Sequence, residues 1–439
     1  ERENKMQIPF SEIFSSVDKI VLDSREDCSK GLFVPIKGEK QDGHRFIPMA
    51  IEHGASFIFT EEDCSELSKQ YPDVRFIPVE STIDALQALG GYARSLYSGL
   101  VIGVTGSVGK TTTRAMIAKA LSMEKSVFET KGNANSQLGL PITLFSMAKE
   151  NKEISVIELG ISIPGEMHRI AEIASCDIAV FTNIGSAHLE NLKTKENTCF
   201  EKMHILEGNQ KEVSLYLPKK DAILGTLTEE KIRAMGFLGE KKLKLFFYEK
   251  KEEIPLSVPG EHMEDNASVA MAIGLSLGLH KQKLLQGLLE FQGLKGRGGR
   301  LSTEDGIMII DDSYNASPDS MKASLKVLAS EKGAKRKIAV LGDMNELGDN
   351  EIAYHREIGE LLKSLPIDAL FTLGKKGEEI RKAMQDRLLP GSACFNLEEL
   401  SIALEKEIKP GDLLLFKASN SLSLSKVIQE IRSKHCLPK

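Results

Sequence analysis

Thr105-Gly-Ser-Val-Gly-Lys-Thr-Thr112 is the stretch on which the reading of the fold turns. It follows an apolar run, Leu100–Thr105, and precedes a helical pattern from Lys110 to about Met123. Strand, glycine-bearing loop and helix in that order form a phosphate cradle. Glycines let the backbone close around an anion, N–H groups converge on it, and the helix N-terminus adds a favourable dipole. Gly106, Ser107, Val108, Gly109, Lys110, Thr111 and Thr112 are therefore the candidate phosphate-binding residues, with Lys110 on the β- and γ-phosphates and the Thr111 hydroxyl on Mg²⁺. Val104 stands where the general pattern has its first glycine, so the match is to the tighter T-G-x-x-G-K-T form. Such a loop implies a nucleoside triphosphate but does not separate a ligase from a kinase or a motor.

Around this unit, short apolar runs alternate with helical patterns, the mark of α/β architecture with largely parallel sheets. Strands are expected at Ile20–Leu22, Leu32–Ile36, Ser56–Thr60 and Val74–Val79, closed by a helix over Thr82–Leu96. After Leu100–Thr105 come Ile154–Leu159, Ile178–Thr182 and Val213–Leu217, then a helix over Asp265–Leu277. Glycine-rich Gly293–Gly299 reads as a hinge. Beyond it, strands are expected at Ile307–Ile310, Ile338–Leu341, Ala369–Leu373 and Leu413–Phe416. The organisation predicted is 1–98, 99–299 and 300–439.

Two residues extend the site. Glu158 closes the apolar strand Ile154–Leu159, at the carboxyl edge where open α/β sheets bind ligands. His188 follows the strand Ile178–Thr182. Taken singly, a strand-end glutamate or a loop histidine is more often structural; their shared sheet edge beside the phosphate loop makes both candidate metal ligands.

Composition agrees with a globular multidomain chain. The 439 residues are 41% hydrophobic and 27% charged, with a net charge of −6, which argues against a broad nucleic-acid-binding face. Six cysteines without a C-x-x-C pair fit reduced thiols and a cytoplasmic location. No apolar run has the length of a membrane span, and the charged start, Glu1 to Phe10, is unlike a signal segment. Met6 is read as the natural start.

Several motifs together resemble the Mur ligases. Asp23-Ser-Arg25, Gly31–Gly38 and Asp42-Gly-His44 are similar to that family's UDP-sugar-binding domain. Thr105–Thr112, Lys131-Gly-Asn-Ala-Asn135, Gly139-Leu-Pro141, Ile157–Gly160, Pro164-Gly-Glu166 and Asn183–Leu189 resemble its ATPase domain. Gly260-Glu-His262 with Asn266, Gly296-Arg297, Asp311-Asp-Ser-Tyr-Asn-Ala-Ser-Pro318 and Leu341–Gly348 complete the series in order.

The resemblance implies three domains: a small mixed α/β N-terminal domain for the UDP-muramoyl-peptide, a central mononucleotide-binding sheet of the P-loop type, and a Rossmann-like C-terminal domain for the amine substrate. It implies an ATP-dependent amide ligase of peptidoglycan biosynthesis. ATP would phosphorylate the carboxylate of UDP-N-acetylmuramoyl-tripeptide, and D-alanyl-D-alanine would attack the acyl phosphate. Residues carried over are His262, Asn266, Arg297 (rather than Arg300), Asp312, Tyr314 and Asn315 for ATP. For the UDP-linked substrate they are Ser24, Arg25, Gly38, Asn133 and Asn135. Metal ligands would be Thr111, Glu158, His188 and Lys202, holding two Mg²⁺ ions, with Lys202 as a carbamate formed from CO₂. Lys110, Glu158, His188 and Lys202 are the catalytic set, in a chain expected to be a monomer without membrane insertion.

Four stretches depart from the family pattern. His204 replaces the glutamate usual two residues after Lys202, and Gly160-Ile-Ser162 replaces Gly-Ala-Asn. Pro218-Lys-Lys-Asp221 replaces an asparagine-rich turn, and Asn420 stands in place of an arginine. An asparagine cannot grip a carboxylate bidentately, so preference for the dipeptide would shift if position 420 faced it. The alternatives are a family member adding another amino acid or a D-Ala-D-X dipeptide, a folate polyglutamate synthase, and a regulatory protein without ligase activity.

Overall fold

The computed structural model describes residues 8–38, 41–187, 189–258 and 260–435; Met6 falls outside them. Three sheets organise the chain. The first holds β1 (Lys19–Val21), β2 (Gly31–Phe33), β3 (Ala55–Thr60) and β4 (Arg75–Pro78) in that order. The second holds β5 (Leu100–Thr105), β6 (Val127–Glu129), β7 (Ile154–Glu158), β8 (Ile178–Phe181), β9 (Glu212–Pro218) and β10 (Lys242–Tyr248), ordered β10-β9-β8-β5-β7-β6. The third holds β11 (Gly299–Ser302), β12 (Met308–Asp311), β13 (Arg336–Gly342), β14 (Ala369–Leu373), β15 (Ala393–Cys394) and β16 (Asp412–Lys417), ordered β11-β12-β16-β13-β14-β15. Every pairing between these strands is parallel except β11 with β12.

Parallel sheets covered by helices bury both faces, which is why their strands read as unbroken apolar runs. β7, β8, β14 and β16 are buried at every position. The expected strands all form, within a few residues of their predicted ends. The additional ones lack that signature. Val127–Glu129 is too short to register. Lys242–Tyr248 alternates charged and apolar residues because it is an edge strand with exposed positions. Gly299–Ser302 pairs antiparallel with Met308–Asp311, so Gly299 already belongs to the third sheet while Gly293–Gly298 forms the crossing.

The helix Thr82–Leu96 forms as expected, capped by Ser81, whose hydroxyl accepts from the Asp84 N–H at 3.1 Å. It seats the first sheet on the second. Gly90 touches Pro141 so closely that a β-carbon would lie 2.7 Å from its Cα. Farther along, Arg94 donates to the carbonyls of Ala174 and Ser175.

Strand order places the chemistry. In the second sheet β5 lies between β7 and β8, so the phosphate loop, Glu158 and Thr182–Asn183 emerge side by side at one carboxyl edge. In the third, β16 lies between β12 and β13, which brings Asp312, Lys417 and Asp343 together. These are the positions where open α/β sheets form ligand crevices.

Candidate active site

The phosphate loop is held open by its neighbours. Gly106 has φ +141° and lies so close to Thr182 that a β-carbon would meet its hydroxyl at 2.0 Å; Gly109 has φ +85°. Both positions need glycine. Asn183 clamps the loop from β8: its side-chain oxygen accepts from the Val108 N–H and its amide donates to the Val108 carbonyl, each at 3.0 Å. Thr182 donates to the same carbonyl at 2.6 Å. Lys110 is curled onto the loop, donating to the Gly106 carbonyl at 3.0 Å, and burial pushes its ammonium below the usual lysine range.

Glu158 is buried at the end of β7. One carboxylate oxygen accepts from the Thr111 hydroxyl at 2.8 Å and the other from the Asn135 amide at 2.7 Å. Glu166 closes the next wall, accepting from the N–H groups of Ser162 and Ile163 at 2.6 and 3.1 Å. Ser162 therefore enters the cavity wall through its backbone.

Lys202, on the helix Lys195–Met203, is 1% exposed, and its Nζ has no hydrogen-bond partner among the described residues. Burial, then the neighbouring charge of Lys110, holds it well below the ordinary lysine range. His188 lies outside the described residues.

Across the cleft stands the third sheet. Lys417, 3% exposed, donates to the Asp312 carboxylate at 2.6 Å and to the Asn315 carbonyl at 3.1 Å. The Arg297 guanidinium lies 4.0 Å from the centre of the Tyr314 ring, a cation–π contact, and Tyr314 donates its N–H to Gly296. Asn266 accepts from the Thr113 hydroxyl at 2.8 Å, fixing the helix Glu261–Ser276 against the phosphate-loop helix Lys110–Leu121. His262 lies beside it, and burial pushes its imidazole below the usual range. Asp319 crosses the cleft, accepting from the Ser186 N–H at 2.8 Å.

These walls enclose a cavity of 440 Å³. Ser107–Thr112, Asn133, Asn135, Glu158, His262, Asn266, Arg297, Asp312, Tyr314 and Asn315 all line it. Ser24, Arg25 and Gly38 do not; they sit at the first sheet, where Arg25 is folded onto Asp23 at 2.6 Å. Asn420 is exposed in the turn after β16 and is not among the cavity-lining residues.

Glu166, Asn183, Asp319 and Lys417 escaped assignment from the sequence. Glu166 and Asn183 lie inside motifs that resemble the family, but only the fold shows their side chains converging with those of Asp319 and Lys417 on one cavity. Asp221, in the turn that departs from the family, accepts from the Ile184 N–H at 2.8 Å and so steadies the loop after β8.

A phosphate loop, a buried carboxylate on its threonine and an opposing basic wall define an α/β nucleotide-binding enzyme working between domains. The chain belongs to the Mur ligase family. Models of that family match in three parts: the family's catalytic domain over 16–93, the middle domain over 104–274 and the glutamate ligase domain over 296–420. The chain is 34% identical over 432 residues to the UDP-N-acetylmuramoyl-tripeptide–D-alanyl-D-alanine ligase of Bacillus subtilis, covering 94% of this chain and 92% of that one. It is 32% identical to the Synechocystis protein of the same name, over 95% of this chain and 93% of the other. Among solved structures it is similar to MurF from Acinetobacter baumannii, with a TM-score of 0.81 at 26% identity, covering 97% and 98% of the two chains. The MurF ligase of Thermotoga maritima in complex with ADP aligns at a TM-score of 0.78 and 27% identity, over 96% and 98%.

Proposed function

We propose that this chain is the cytoplasmic ligase that joins D-alanyl-D-alanine to UDP-N-acetylmuramoyl-tripeptide at the expense of ATP, giving the pentapeptide precursor of peptidoglycan. The carrying observation is full-length similarity to relatives of that name, combined with a cavity that sets the phosphate loop opposite Asp312, Lys417 and Arg297. The chain divides its work as 1–98 for the UDP-linked substrate, 99–299 for ATP and 300–439 for the dipeptide. It acts as a monomer, since the cavity walls come from its own sheets.

In this reading ATP lies on the loop with its adenine toward His262 and Asn266. Lys110 leaves its loop carbonyl for the β- and γ-phosphates, while Arg297 and Lys417 offset charge from the other wall. The tripeptide carboxylate attacks the γ-phosphorus and ADP leaves. The dipeptide's free amine then attacks the acyl carbon, loses a proton, and the tetrahedral intermediate expels phosphate. The chain's contribution is positioning and charge neutralisation.

The residues fit Mg²⁺. Thr111 and Glu158 are hard oxygen donors, and the Lys202 Nζ, buried with its ammonium form disfavoured and without a partner among the described residues, would react with CO₂; as a bare amine it offers Mg²⁺ no oxygen. Thr111, Glu158 and Lys202 as a carbamate would hold the ions, with His188 assigned from the sequence alone. Mg²⁺ supplies, when bound, neutralisation of the phosphate charge. Ser24, Arg25, Gly38, Asn133 and Asn135 are assigned to the UDP-linked substrate.

The test is phosphate release with each substrate omitted in turn, with product mass by chromatography. Release is expected only with ATP, tripeptide and dipeptide together. Release without the tripeptide, or none with all three, overturns the proposal.

A further inference from the structure

Outside the cavity, two histidines and a glutamate converge on one point. His168 lies on the helix Glu166–Ala174; His204 and Glu207 lie in and just after the short turn that follows Lys202. One Glu207 oxygen is 2.6 Å from His168 Nδ1 and the other 3.1 Å from His204 Nδ1. All three ligand atoms lie within 4.8 Å of one another.

From this geometry we infer a second metal site, His168–His204–Glu207, that takes a borderline divalent transition ion, Zn²⁺ foremost. The arrangement matches what such an ion requires. Ligands about 2.0–2.1 Å from a tetrahedral centre stand roughly 3.3 Å apart, a small relaxation from the spacing present. Two imidazoles and one carboxylate leave one position for water, and the His168 side chain is 50% exposed. Nitrogen ligands favour zinc over the Mg²⁺ expected at the phosphate loop.

The rings are oriented in advance. His204 lies 4.1 Å from the Phe237 ring centre and meets Phe200 edge-on at 5.8 Å. Nε2 of His168, the nitrogen turned away from Glu207, has the Glu172 carboxylate 3.9 Å away, the kind of outer partner that orients a ligating imidazole. Lys241, the nearby cation, donates instead to the Leu206 carbonyl at 3.0 Å, leaving the Glu207 carboxylate to the histidines.

The site joins two elements that matter elsewhere. The helix bearing His168 starts at Glu166, which organises the cavity wall at Ser162; the turn bearing His204 continues the helix of Lys202. An ion here ties them together and makes the central domain's stability sensitive to zinc. None of the three ligands lines the cavity, so the inference does not depend on the proposed reaction.

The experiment uses chelator-treated full-length protein with Mg²⁺ present, titrated with Co²⁺ and read by its visible ligand-field absorption, then with Zn²⁺ in competition. Wild type is expected to take up one Co²⁺ that His168→Ala does not, or binds at least about tenfold more weakly. Zn²⁺ at a hundredfold excess over its Kd is expected to raise the Tm of wild type by roughly 5–11 °C but not that of His168→Ala. His168 is half exposed, so its replacement leaves the fold intact, which an unchanged metal-free Tm verifies. His204→Ala provides the second variant. Equal Co²⁺ stoichiometry and affinity in wild type and both variants overturns the assignment.

Discussion

Replacing Lys202 by methionine should stabilise the protein and abolish its activity at once. Lys202 is 1% exposed and its amine has no hydrogen-bond partner among the described residues. Leaving such a group buried and unpaired costs about 1–3 kcal/mol on mutational scales. The electrostatics act in the same direction, because burial and the charge of Lys110 disfavour the ammonium. Methionine retains the unbranched stem and much of the volume, with a shape penalty of at most about 1.5 kcal/mol. At the midpoints of these ranges the net gain is about 1 kcal/mol, or a rise in Tm of roughly 2–4 °C for a unit the size of the central domain. The measurement is calorimetry in metal-free buffer purged of CO₂, beside phosphate release under standard conditions. Added bicarbonate and Mg²⁺ should raise the Tm of wild type and leave Lys202→Met unmoved. A variant that melts at or below wild type in the purged buffer refutes the reasoning, since Lys202 would then be held by interactions rather than merely buried. A variant that retains turnover refutes the role.

Two further outcomes follow from other buried groups. Lys417→Met strands the Asp312 carboxylate, which is 19% exposed, and should destabilise the third sheet by about 2–4 kcal/mol; Asp312→Asn in the same chain should recover much of it. Hydrogen exchange at Asp412–Lys417 reads this, and protection within about 1 kcal/mol of wild type for Lys417→Met alone would count against it. His355 is fully buried; its Nε2 accepts from the Met344 N–H at 2.9 Å, so its proton sits on Nδ1, donating to the Glu351 carbonyl at 2.6 Å. Burial lowers its folded-state value below 6.5, so its contribution is complete above 6.5 and is lost as pH falls through that lower value. Tm should drop more between pH 7 and about pH 5 in wild type than in His355→Gln; parallel curves would contradict the assignment.

What could be read without the fold was local. Leu100–Val104 carries no polar side chain because a central parallel strand is buried on both faces, and Thr105–Thr112 carries glycine where the backbone turns back on itself. Such features depend on neighbours in sequence, so the fold class, the nucleotide and the order of motifs were open to reading. Lys242–Tyr248 was not, because an edge strand half open to water carries lysines, Lys242 and Lys244, that interrupt its apolar run.

The sequence by itself therefore determined the α/β architecture, the phosphate site and the membership of a ligase family. Only the tertiary structure decided which side chains meet. Glu158 and Thr111 are joined because β5 and β7 are neighbours, and Lys417 reaches Asp312 because β16 inserts between β12 and β13. His168 finds His204 because a helix packs on a turn far along the chain. Lys202 is singled out in the sequence only by its resemblance to the family pattern; that its amine is buried, with the ammonium form disfavoured, follows from the packing of its helix. Strand order and packing are set by the whole core, and no local pattern encodes them.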